Sequence, residues 1–210
     1  MNFVAKILIL SDVIIVSAFG FLSPIFALFV TDKIAGGTIE TVGYATAFYW
    51  LVAFLVRLPL AKRIDSTTSE KDDFLYMTIG SFIICLVPFM YIFSSKIWHI
   101  YLIQAIYGLG YSLRVPGWYA MFTKRLGKGK EGYGWSISTM ITGIGSAITA
   151  ALGGLIANHL GFDTLFIIIG ILSIFGSLTL FFIYYSFILQ KNKNSENKNS
   201  EFIEKNNSKR

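Results

Sequence analysis

The sequence predicts an all-α, polytopic membrane protein with six transmembrane helices. Hydrophobic residues make up 54% of the 210 residues and charged residues only 14%, whereas soluble domains carry roughly a quarter charged residues. The charges are crowded into short runs, and long apolar segments separate these runs. Each segment reaches the roughly 17–25 residues that a helix needs to cross about 30 Å of hydrocarbon. The six segments are 7–30, 42–60, 74–93, 97–122, 133–157 and 164–189.

The apolar segments favour helices over strands. In lipid the backbone must satisfy its own hydrogen bonds, so only helices and closed barrels span a membrane. The segments show no strict alternation of apolar and polar residues, which a barrel strand would require. We therefore expect a six-helix transmembrane bundle over residues 1–189. Residues 190–210 are rich in Asn, Lys, Ser and Glu, and this composition predicts a disordered cytoplasmic tail. The alternative is that its lysines hold it against anionic lipid.

Lys and Arg are concentrated in every second connection of the predicted bundle, on one side of the membrane. If the N-terminus is cytoplasmic, most of the 18 Lys and Arg lie in cytoplasmic loops and the tail, and Lys33 and Lys96 are left outside. This asymmetry is the positive-inside pattern, and it places both termini in the cytoplasm. Because a nucleic-acid patch would not alternate by loop, we expect a lipid bilayer as the partner and no nucleic acid. The expected location is the cytoplasmic (inner) membrane of a prokaryote.

The fourth segment, 97–122, carries a polar stripe. Gln104, Tyr107, Tyr111 and Arg114 stand at i, i+3, i+7 and i+10, so they share one helical face. An amide, two phenols and a guanidinium suit a wet cavity or a polar seam better than lipid. An unpaired Arg in the bilayer centre costs at least about 2.5–3.5 kcal/mol. These four residues are therefore candidates for lining a substrate pathway.

Asp12 is the predicted partner of Arg114. It is the only acidic residue well inside an apolar segment, and both residues fall in the cytoplasmic halves of their segments. Their depths differ by roughly 6 Å, which the long arginine stem can close. Three interpretations remain open: a pair that faces the substrate pathway, a pair that only fixes two helices, and an Arg that snorkels alone.

Small residues mark surfaces where helices are expected to approach closely. They lie beside the polar stripe of the fourth segment and along one side of the fifth. Small side chains let two backbones come together, so helix packing is favoured over substrate contact at these positions. The glycines predicted to pack are Gly108, Gly110, Gly145, Gly153 and Gly154.

Four short patterns follow one another along the chain at the ends and interiors of these segments. They are RLPLAKRID ending at Asp65, Gln104 followed by Gly108-Leu109-Gly110, TAALGGL with Gly153-Gly154, and GFDTLF from Gly161 to Phe166. In order and spacing they resemble the N-terminal six-helix half of a major facilitator superfamily transporter. Three positions depart from the family pattern. Ala61 replaces a glycine, Tyr101 replaces an arginine, and Thr149-Ala150 replace Gly-Pro.

The resemblance implies a function and a partner. Such transporters usually have two six-helix halves that rock against each other in alternating access, and this chain has the segments of one half. Transport of a small solute would then need a homodimer or a second six-helix chain. By the same resemblance, Asp65 would anchor cytoplasmic helix ends as a conformational gate, with a solvated loop charge as its alternative. The alternative for the whole chain is a non-transporting membrane subunit or scaffold that retains the half-transporter fold.

Enzyme chemistry, cofactors and metal ions are not expected. His99 and His159 are far apart in sequence and have no Cys or acidic cluster at metal-ligand spacing. No glycine-rich phosphate loop follows a strand. Energy for transport would therefore have to come from an ion gradient.

Overall fold

The computed structural model describes residues 3–66 and 70–184, and these residues form helices joined by short connections. The helices are α1 (Phe3–Gly20), α2 (Phe26–Lys33), α3 (Ile39–Ser66), α4 (Glu70–Ile92), α5 (Ile97–Thr123) and α6 (Glu131–Leu178). The described chain is therefore all-helical, as the sequence predicts. The predicted tail, 190–210, lies outside the described residues.

The first apolar segment, 7–30, forms two helices rather than one. Helix α1 ends at Gly20 and α2 begins at Phe26. Pro24 explains the break, because it lacks an N–H and its ring would collide with the carbonyl four residues earlier, at Gly20. After α2 the chain turns at Gly36, whose φ is 75°. The backbone N–H of Ala35 donates to the carbonyl of Ser95 at 3.1 Å, which ties this connection to the one between α4 and α5.

The last two apolar segments form one helical stretch that reverses at Gly161. There the backbone is non-helical, with φ 84° and ψ 166°, a conformation that glycine adopts without steric cost. A straight helix of 48 residues would be about 72 Å long. However, Gly145 lies against Ser17 while Gly176 lies against Ile15, so both parts run along α1. We call 131–160 the first arm of α6 and 162–184 the second arm.

Helix α5 lies between α3 and α4 in the order of helix contacts. It packs along α3 on one side and along α4 on the other, while α6 packs along α1 and α4. Each of these helices therefore runs alongside the helices named with it, whereas α1 meets α5 at only a few positions. We call the face that α1, α3 and α5 share the groove. There the ring of Phe19 stacks on that of Tyr107, the ring of Tyr49 lies beside those of Tyr107 and Tyr111, and Arg57 lies over Tyr111.

The two ends of the bundle are named after the orientation that the charges predict. The inner end holds the start of α1, the end of α3, the start of α4, the end of α5 and the start of α6. Two apolar cores lie along the axis between the ends. The outer core includes Phe29, Tyr91 and Phe166, and the inner core includes Leu8 and Phe122.

Within the described residues, four helical stretches are long and apolar enough to cross a membrane. They are Phe3–Gly20, Ile39–Ser66, Glu70–Ile92 and Glu131–Tyr184, the last of which contains both arms of α6. Helix α5 has 27 residues, which is long enough at about 1.5 Å per residue, but its polar stripe lowers its hydropathy. Leucines and phenylalanines cover the outward surfaces; Leu58, for example, is 72% exposed. This is the composition of an integral, multi-pass membrane protein.

Glycines let the helices approach at several, but not all, of the positions where the sequence predicts close packing. A Cβ at Gly108 would collide with the carbonyl oxygen of Tyr49 in α3, and one at Gly153 would collide with the carbonyl oxygen of Phe21. A Cβ at Gly110 would lie 2.8 Å from the Ile83 side chain. At Gly154, by contrast, a Cβ would meet no atom of the described chain within 4 Å.

The neighbouring glycines Gly153 and Gly154 therefore provide a matched test of the packing. Gly153→Ala should destabilise the protein by about 1–3 kcal/mol, because Phe21 or the first arm must shift. This corresponds to a drop of about 2–4 °C in melting temperature for each kcal/mol. Gly154→Ala should leave the melting temperature unchanged or raise it, because alanine favours helix. Thermal unfolding of both variants in one detergent measures the difference, and equal effects would contradict the packing.

Candidate functional site

An ion pair joins α1 to α5 between the two apolar cores. Arg114 donates from Nη2 to Oδ1 of Asp12 at 2.7 Å, and the two side chains are only 4% and 16% exposed. The pair that the sequence predicts is therefore confirmed. Its role in a substrate pathway stays a prediction.

The ion pair belongs to a layer of buried polar groups. Hydroxyl and thiol groups from α1, α4, α5 and the second arm lie at this depth, namely Ser11, Ser81, Cys85, Ser112, Ser173 and Ser177. Ser112 donates to the carbonyls of Ala53 at 3.1 Å and Gly108 at 2.7 Å, which links α5 to α3. The Cys85 thiol and the Ser177 hydroxyl lie 3.0 Å apart. Arg114 Nε has no hydrogen-bond partner among the described residues.

Further contacts between α1 and α5 lie on either side of the ion pair. Toward the inner end, Trp118 Nε1 donates to the carbonyl of Leu8 at 3.1 Å. Toward the outer end, the rings of Phe19 and Tyr107 stack with centroids 4.9 Å apart. The ion pair is thus held between an indole hydrogen bond and an aromatic stack, which fixes the relative position of the two helices.

Two of the predicted pathway residues line a pocket above the ion pair. Gln104 and Tyr107 border a space of about 220 Å³ together with residues of α1, α2, α4 and the connection between α1 and α2. These further lining residues are Phe19, Leu22, Ser23, Phe26 and Tyr91. An amide, two phenols and a serine hydroxyl in an otherwise apolar wall give such a pocket a few fixed polar contacts, as in small-molecule sites.

The remaining pathway residue, Tyr111, belongs to an aromatic surface in the groove. The ring of Tyr49 in α3 lies 5.0 Å from that of Tyr107 and 5.8 Å from that of Tyr111. The guanidinium carbon of Arg57 lies 5.5 Å from the ring centroid of Tyr111 and 5.9 Å from that of Tyr119. These distances are typical of cation–π contacts.

Arg57 and Tyr49 are not among the pathway residues that the sequence predicts. Arg57 stands near the cytoplasmic end of the second predicted segment, 42–60, and the positive-inside pattern counts it with the cytoplasmic charges. In the structure α3 continues through Pro59 to Ser66, so Arg57 lies well within the helix. The sequence signal for this helical position is that Arg57 lies between two apolar residues, which are Val56 and Leu58.

Two further ion pairs join α4 to α5 at the inner end. Arg125 donates to Glu70 at 2.6 Å, and Lys124 donates to Asp73 at 3.0 Å. The acidic residues lie in the first turn of α4, where the helix dipole favours negative charge. These pairs are not among those that the sequence predicts.

Asp65 is exposed at the end of α3 and takes part in none of the three ion pairs of the described residues, so its role as a gate stays a prediction.

Comparison with known proteins gives a family and one curated relative. The family model described as Major Facilitator Superfamily matches residues 8–208. The chain is also 27% identical over 176 residues to a "Multi-drug resistance efflux pump PmrA homolog" from Lactococcus lactis subsp. lactis (strain IL1403). The match covers 81% of this chain and 42% of the relative, so the chain spans less than half the length of that protein.

The geometry of the ion pair predicts that substitutions of its two residues are strongly coupled in their effect on the free energy of unfolding. Asp12→Asn and Arg114→Gln should each destabilise the protein by about 3–5 kcal/mol, because each leaves a buried charge without its partner. The double variant should lose less than the sum of the two losses. Melting temperatures of the wild type, both single variants and the double variant measure the coupling. Additive losses would show that the two charges do not interact.

Proposed function

Because the chain belongs to the Major Facilitator Superfamily, whose members are membrane transporters rather than enzymes, we propose that it moves a small solute across a membrane by alternating access. The observation that carries the proposal is the buried Asp12–Arg114 pair between two helices that border the groove. Ionisable groups at membrane depth are expensive and usually serve function. The polar pocket directly above the pair supports the same role for Gln104 and Tyr107.

The proposed arrangement has six spans and cytoplasmic termini. The spans are α1 together with α2, then α3, α4, α5, and the two arms of α6. The reversal at Gly161 supports separate spans for the two arms, and the length of α5 supports its span. The positive charges near the inner end favour a cytoplasmic location for that end.

A second six-helix bundle is part of the proposal. One bundle provides one wall of a cavity, and alternating access requires another bundle that rocks against it. The Lactococcus relative, described as a multi-drug resistance efflux pump, is more than twice as long as the matched region. We propose that a second copy of this chain completes the transporter, with a separate six-helix chain as the alternative. The name of that relative favours export as the direction.

The first test is the mass of the particle purified with its native lipids. Native mass spectrometry should give twice the chain mass of 23.5 kDa, apart from bound lipid. Reconstituted dimers should then accumulate or release a solute across liposome membranes, and Asp12→Asn or Arg114→Gln should reduce that transport at least tenfold. If both variants transport normally while losing thermal stability, the ion pair is structural. A monomer without a partner chain would contradict the homodimer.

Water access separates a transporter from a scaffold that only retains the fold. In a Cys85→Ser background, Tyr111→Cys should react with a membrane-impermeant thiol reagent, because a substrate pathway must be wet. The control is Leu86→Cys, since Leu86 is an outward-facing side chain of α4 that is 59% exposed and would face lipid. Protection of both cysteines would favour the non-transporting scaffold.

A further inference from the structure

Arg57 is a second guanidinium at the depth of the ion pair. It reaches from α3 across the groove face to α5, where its guanidinium carbon lies over the rings of Tyr111 and Tyr119. Along α5 these two tyrosines stand on either side of Arg114. Arg57 is partly exposed, whereas Arg114 is buried. The groove therefore presents Arg57, and not Arg114, to a solute.

The charges at this depth do not balance. Asp12 is bound to Arg114, and Arg57 takes part in none of the three ion pairs of the described chain. The acidic residue nearest along the same helix, Asp65, is eight positions away, which corresponds to about 12 Å of helix. Among the described residues, two arginines and one aspartate leave a net charge of +1 on this part of the groove. An uncompensated cation at membrane depth favours an anionic partner.

Aromatic rings extend along the groove from Tyr111, which lies under the unbalanced charge. The ring centroid of Tyr49 lies 5.0 Å from that of Tyr107 and 5.8 Å from that of Tyr111. Phe19 extends this surface by stacking on Tyr107. Such rings offer large, flat contact areas with preferred stacking geometries. A guanidinium offers planar, bidentate hydrogen bonding to carboxylate or sulfonate oxygens.

We propose that Arg57 and the tyrosines that extend from it along the groove form a binding site for a planar aromatic solute that carries one negative charge. Arg57 binds the anionic group, and the rings of Tyr49, Tyr107 and Tyr111 contact the aromatic part. The proposal rests on the proposed transport function for its biological meaning, but binding itself requires no transport. Because Asp12 neutralises Arg114, the selectivity for an anion comes from Arg57.

Binding of two probes with the same ring system tests the proposal. The probes are 2-naphthoate, which is anionic, and 2-naphthamide, which is neutral. The purified assembly is placed in nanodiscs of phosphatidylcholine, and equilibrium dialysis with radiolabelled probes gives both dissociation constants. The wild type should bind 2-naphthoate at least tenfold more tightly than 2-naphthamide. Arg57→Gln should remove this preference and leave 2-naphthamide binding within about twofold, since only the charged contact is lost.

The matched control is Lys62→Gln. Lys62 is an exposed cation on the same helix, so its loss changes the net charge of the protein equally without touching the rings. It should leave the preference for 2-naphthoate unchanged. Arg57→Lys keeps the charge but loses the planar fork, and it should restore part of the preference.

Several results would overturn the proposal. One is a wild type that binds neither probe or binds both equally. Another is an equal loss of affinity for both probes in Arg57→Gln, which would assign a packing role to Arg57. A third is loss of 2-naphthoate binding when phosphatidylglycerol is added to the nanodiscs, which would assign Arg57 to lipid headgroups. If binding depends on Arg57 but liposomes show no transport, the proposed function fails and the binding site stands.

Discussion

The ion pair between Asp12 and Arg114 is the interaction on which the arrangement of α1 and α5 depends. These helices meet at few positions, and the pair is the charged contact between them. In a low-dielectric surrounding each charge is costly alone, and each is tolerated because the other is 2.7 Å away. The stacked rings of Phe19 and Tyr107 and the indole bond of Trp118 then hold the helices in the register that keeps the two charges together.

Close helix packing elsewhere makes this geometry possible. Gly108 lets the backbone of α3 approach α5, and Gly153 lets the first arm of α6 approach the chain just after α1. Without a hydrophobic driving force between helices in lipid, such close contacts and interhelical hydrogen bonds provide much of the attraction. Ser112, which donates to Ala53 of α3, adds a polar link at the same interface.

The groove combines a neutralised charge with a partly exposed one. Arg114 is buried against Asp12, so it contributes little net charge to a solute, whereas Arg57 lies over two tyrosine rings. Sequence patterns leave two roles open for Arg114, the pairing of two helices and the lining of a substrate pathway, and the two arginines divide these roles. Arg114 joins α5 to α1 through Asp12, and Arg57 is the residue that we propose for solute recognition. At the inner end, Glu70 and Asp73 bind the cations at the end of α5 and thus keep α4 and α5 together.

The sequence by itself determined the helical class and the membrane environment, and it predicted Asp12 as the partner of Arg114. Hydropathy, segment length and the scarcity of buried charge are local properties, and lipid leaves few ways to satisfy a buried arginine. Tertiary structure alone decided that both arms of α6 lie along α1 and that Arg57 lies over Tyr111 and Tyr119. Those features depend on which faces of distant helices meet. A pattern of residues along one helix specifies its own face but not the ring or charge that the neighbouring helix brings to it.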